Sequence, residues 1–133
     1  MKRLLSKERF NDPIQGTITI ASSLTASLDE SPFHMHGVLN LLETTILFVL
    51  HEQDTWKRAI DLVCATEKWA QIVSDINEHH TNVHLDSVIL KGVAHIEAQR
   101  VDVQTRWFGL AQQALHLQGI CEQTSISDFF ARD

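Results

Sequence analysis

The sequence predicts an all-α fold, an antiparallel bundle of four to five helices in a single domain over residues 1–133, and three observations carry that expectation. Both prolines of the chain follow a residue type that caps helices, in Asp12-Pro13 and Ser31-Pro32. Apolar residues recur at steps of three and four over most of the length. Only one stretch reads as a strand, and a lone strand has no partner for its backbone groups. With 44% apolar residues in 133, the chain can fill one core without disulfides.

The first helix is expected to start at Pro13, where the missing N–H would have gone unpaired in any case. Ile14, Ile18, Ala21, Thr25 and Leu28 then share one face. Within this stretch Gly16-Thr17-Ile18-Thr19-Ile20 alternates and is rich in β-branched residues, which favours a strand locally. The longer helical period overrides it.

A second helix starts at Pro32. From Val38 to Leu50 it is apolar on nearly every face, interrupted by Asn40, Glu43, Thr44 and Thr45. A helix of that kind must be surrounded. It is therefore either the central helix of the domain or half of a dimer interface, with Leu42, Ile46 and Val49 as contact residues. The longest unbroken apolar run, Ile46 to Leu50, is too short to cross a bilayer.

Asp54 is placed to cap a third helix, in which Leu62, Ala65, Trp69, Ile72 and Ile76 form a stripe widened by Trp56, Ile60 and Val63. This helix should end between Asn77 and His80, and the next should begin near Asn82. From Ile89 the repeat runs through Val93, Ile96, Arg100, Val103, Trp107, Leu110, Ala114, Leu117 and Cys121, a heptad-like seam whose one charged member is Arg100. Neither Gly nor Pro marks a break there. Residues 84–119 form either one helix about 50 Å long, overhanging the bundle, or two antiparallel helices parted between Arg100 and Gln104. In the first case Arg100 is buried against a carboxylate of a facing chain, Glu97 or Asp102; in the second it is solvated. Gly119 ends the helical region, and residues 122–133 form a tail.

Histidine is the most suggestive functional residue type, with eight in the chain. On one helix His84 and His95 lie about 20° apart in rotation, and His80 joins them if the helix starts early enough. His80, His84 and His95 are therefore the candidate metal ligands, suited to zinc or iron, with Glu43, Glu78 and Asp86 as carboxylates that could complete a site. His34 and His36 make a second pair, and His51 closes the second helix. A di-iron bundle needs Glu-x-x-His on two helices, and no His stands three residues after Glu43, Glu67, Glu78 or Glu97.

Other chemistry is thin. The sequence has no Gly-rich phosphate loop, no GxSxG, no HExxH and no tyrosine, so neither a catalytic set nor a cofactor is expected beyond that transition metal. Cys64 and Cys121 read as small buried hydrophobes. Trp56, Trp69 and Trp107 should fill the space between helices, with Arg106 and Trp107 as an alternative contact pair. Ile126, Phe129 and Phe130 make an apolar knot in the tail, which either folds back on the bundle or docks into a partner groove.

A net charge of −6 excludes a broad basic footprint for duplex nucleic acid. Lys2, Arg3, Lys7 and Arg9 crowd a basic arm over residues 1–11, so nucleic-acid binding through that arm is the third functional expectation. The same charges interrupt any signal-peptide core, and a cytoplasmic location is expected. The leading expectation is a non-enzymatic regulator or adaptor working through protein contacts, as a homodimer and with another protein. Leu42, Ile46, Val49, Arg100, Trp107, Phe129 and Phe130 would form its interfaces. A histidine-based metal binder or sensor is the alternative.

Overall fold

A computed structural model describes residues 13–26, 28–52, 56–64, 66–78 and 83–117. Among the described residues there are six helices and no strand: α1 (Pro13–Thr25), α2 (Pro32–His51), α3 (Trp56–Cys64), α4 (Thr66–Glu78), α5 (Val83–Glu97) and α6 (Val101–Leu117). The strand-like residues 16–20 lie inside α1, so tertiary packing overrides β-branched propensity there. Thr25, near the end of α1, donates to the carbonyls of Ala21 at 3.0 Å and Ser22 at 3.2 Å. The Leu28 N–H reaches the Thr25 carbonyl at 3.0 Å and tightens the turn that follows.

Helix α2 starts at Pro32 as expected, but by a different device. Ser31 is extended, with φ −63 and ψ 156, and its side chain makes no capping bond. Its carbonyl instead accepts the Met35 N–H at 2.9 Å, so the proline and not the serine hydroxyl sets the start. Val38, Leu41, Leu42, Ile46, Phe48 and Val49 are wholly buried, and α1, α3, α5 and α6 all pack on α2. One chain thus surrounds its own apolar helix, and the burial of Leu42, Ile46 and Val49 requires no second copy. The stretch Pro32–Leu50 is long and apolar enough to cross a membrane, which the length of its longest unbroken run understated. Here it sits as a core helix.

The helix expected from Asp54 to His80 is two helices. Arg58 and Asp75 form a salt bridge at 3.2 Å. Seventeen residues along a straight helix would span about 25 Å, so the chain reverses between α3 and α4. The stripe survives because both helices turn it inward: Leu62, Trp69, Ile72 and Ile76 are all buried. Within this packing the Trp69 indole N–H donates to Thr45 Oγ1 at 2.8 Å, and the Thr45 hydroxyl donates to the Leu41 carbonyl at 2.7 Å. Two buried polar groups are thereby satisfied at once.

The seam from Ile89 onward is also divided, at Ala98–Arg100. A side chain closes the end of α5 where no glycine does. Gln104 Nε2 donates to the Gln99 carbonyl at 2.8 Å and lies 3.4 Å from that of Glu97, covering carbonyls a helix end leaves bare. Gln112, about two turns further along α6, does the same for α3 by donating to the Val63 carbonyl at 2.8 Å. Arg100 stands in the connection with its side chain 83% exposed, paired with its near neighbour Asp102. The continuous-helix alternative and its buried arginine are therefore corrected. Two divided helices account for six where four to five were expected. The basic arm, the tail and the caps Asp12 and Asp54 lie outside the described residues.

Candidate ligand cavity

Helices α1 and α5 flank α2, and a cavity of about 240 Å³ lies between the three. Each helix lines it with one face at helical spacing: Ile14, Thr17 and Ile18 from α1, Asn40, Glu43, Thr44 and Leu47 from α2, and Val88, Lys91, Gly92 and His95 from α5. The walls are mixed. Ile14, Ile18, Leu47 and Val88 supply apolar surface, and two hydroxyls, an amide, a carboxyl, an amine and an imidazole interrupt it. Gly92 sets the approach of α5 to α2, because a Cβ there would fall 2.0 Å from Thr44 Oγ1.

Two side chains in the lining are poorly compensated. Thr17 is 1% exposed, and its Oγ1 has no hydrogen-bond partner among the described residues. Thr25 and Thr45, by contrast, both donate to the carbonyl four residues back. Glu43 is half-buried, and burial raises its carboxyl pKa above the ordinary 4.5, with His36 pulling the other way. An unpartnered buried hydroxyl and a desolvated carboxyl beside apolar walls are what a small polar-headed ligand would satisfy.

The expected metal set does not come together. His84 and His95 do share α5, but eleven residues of rise put them about 16 Å apart along its axis, far beyond one ion's reach. Rotational alignment alone had suggested otherwise. His95 stacks on Trp107 at 6.2 Å between centroids and lines the cavity, while His80 lies outside the described residues. No group of three or more His, Cys, Asp or Glu that could hold a metal occurs among the described residues. Cys64 is exposed, contrary to the buried-hydrophobe reading, and Cys121 lies outside the described residues.

Trp56, Trp69 and Trp107 are interior, as the spacing predicts. Trp107 has a partner that the sequence did not suggest: its indole N–H donates to His34 Nδ1 at 3.0 Å. Phe33 packs against the same indole at 5.4 Å and remains 56% exposed. Arg106 pairs with Glu30 and ties α6 to the segment between α1 and α2. Phe129 and Phe130 lie outside the described residues. Thr17, Asn40, Lys91 and Gly92 went unremarked as a group, since polar residues at helical spacing read as a solvated face until three such faces meet. No protein family, curated protein or solved structure matches this chain.

Proposed function

We propose that the chain is a non-enzymatic, ligand-binding helical domain whose site is the cavity between α1, α2 and α5. The observation that carries the reading is the buried Thr17 hydroxyl, left without a partner in the wall of that cavity. Leaving such a group unpaired costs about 1–3 kcal/mol, and a bound molecule recovers part of this if the wall shifts to bring the hydroxyl, shielded at 1% exposure, to one of its polar atoms. Helical bundles often place small-molecule sites between their helices. Ligand-observed NMR with a fragment library tests the proposal. Fragments should bind the wild type and lose their binding when Val88→Phe fills the wall. A library without a single binder at millimolar concentration would refute it.

A second reading keeps the regulator or adaptor that acts through protein contacts. It is favoured by Phe33, an aromatic ring more than half exposed and braced by the buried Trp107, the kind of rigid anchor on which interfaces concentrate energy. Sedimentation of the wild type and Phe33→Ser over a range of concentrations tests self-association through this edge. A monomer at every concentration for both proteins would remove the homodimer.

A further inference from the structure

From the oxygen-bearing side chains among the residues that line the cavity, we infer that its ligand class is a small primary ammonium compound with an apolar body. The inference rests on the ligand-binding reading above and adds the chemistry of the ligand. Among the ionisable groups in the lining, Glu43 is the one that has lost water, whereas Lys91 and His95 are exposed at the α5 side and keep theirs. A counter-charge therefore gains most at Glu43, and the charge it calls for is positive.

The neighbours of Glu43 fit the same head group. Asn40 stands one turn before it on α2, and Thr17 lines the same cavity from α1. A carboxylate, an amide oxygen and a hydroxyl oxygen are three acceptors, and a primary ammonium offers three N–H donors. The Thr17 oxygen has no partner among the described residues, and its lone pairs accept an ammonium N–H if the wall shifts to admit it. Beyond the head, Ile14, Ile18, Leu47 and Val88 offer an aliphatic lining to the ligand's body. A volume of 240 Å³ equals about eight waters, which suits a chain of six to eight heavy atoms or a single ring.

The test compares three probes of one shape, hexylammonium, hexanol and hexanoate, titrated by NMR into the full chain and its Glu43→Gln and Thr17→Val variants. Hexylammonium should bind the wild type about tenfold more tightly than hexanol, the yield of one hydrogen bond to a charged group. Glu43→Gln should abolish that preference and leave hexanol unchanged, and Thr17→Val should weaken hexylammonium several-fold. Circular dichroism melts of both variants confirm that they are folded. Equal binding of hexanol and hexylammonium, or a preference for hexanoate, would overturn the ammonium class while leaving a ligand-binding cavity. Failure of all three probes to bind at millimolar concentration would overturn the inference and the ligand-binding reading together.

Discussion

Replacing Gly37 with alanine sets two opposed effects against each other, and the structure decides between them. A Cβ at Gly37 would lie 2.1, 2.2 and 2.5 Å from Cε2, Cζ2 and Cδ2 of Trp107, where ordinary contact is 3.4–4 Å. The indole must retreat by more than an ångström. It is poorly placed to do so, being 1% exposed, bonded to His34 and stacked on His95. Overpacking of this kind costs about 1–3 kcal/mol, and breaking the indole hydrogen bond adds about 1 kcal/mol. Against this, alanine gains about 1 kcal/mol of helix propensity over glycine. The net expectation is a destabilisation of about 1–3 kcal/mol, read by urea unfolding, with a displaced indole N–H resonance for Trp107. Gly109→Ala is the control, since nothing lies within 4 Å of its Cβ and only the propensity gain remains. In a Trp107→Leu background the loss at Gly37 should shrink. A Gly37→Ala protein as stable as Gly109→Ala would refute the close approach of α2 to the indole.

Other substitutions probe the remaining contacts. Thr45→Val keeps the shape of the side chain but strands the buried Trp69 N–H, and unfolding in urea should show a loss of about 1–3 kcal/mol. Arg100→Leu should change stability by no more than about 0.5 kcal/mol and leave the sedimentation coefficient unaltered, since the side chain is solvated. Glu43 gives a pH signature. Its folded pKa is raised, so the folded state holds the proton longer than the unfolded one, and stability falls as pH rises from the unfolded pKa through the folded one. Glu43→Gln should accordingly melt like the wild type below that window and above the wild type beyond it, and parallel melting curves across the range would contradict the burial of the carboxyl.

Legibility followed the range of the forces involved. Pro13 and Pro32 act within their own residue, and both helix starts were readable from them. The all-round apolar character of Val38–Leu50 demanded a surrounded helix, and α2 is one. The divisions of the two longer periodic segments were not readable in the same way. Neither carries a local breaker, and two of the helix ends involved are satisfied by Gln104 and Gln112, whose partners are fixed only once α6 has docked. Arg100 was the one local hint, a charge in an apolar seam. The cavity was illegible for a related reason: no single helix contains it, and Thr17, Asn40 and Lys91 each sit at an unexceptional amphipathic position. His84 and His95 share a rotation about the α5 axis but not a height along it, and a common ion requires both.

The central place of α2 has a consequence for biosynthesis. This helix is translated early, whereas α5 and α6, which cover two of its sides, are translated last among the described helices. At about 5–20 residues per second a ribosome takes several seconds to extend the chain from residue 51 to residue 117. During that interval the sides of α2 that Trp107 approaches at Gly37 and Gly92 approaches at Thr44 lack their cover, in a segment apolar enough to be mistaken for a bilayer span. A chain truncated at Glu97 makes the last part of that interval permanent, with α5 in place and α6 missing. It should partition into aggregates or chaperone complexes when synthesised in a cell-free system, and a soluble monomer from that truncation would show that α6 is dispensable as a cover.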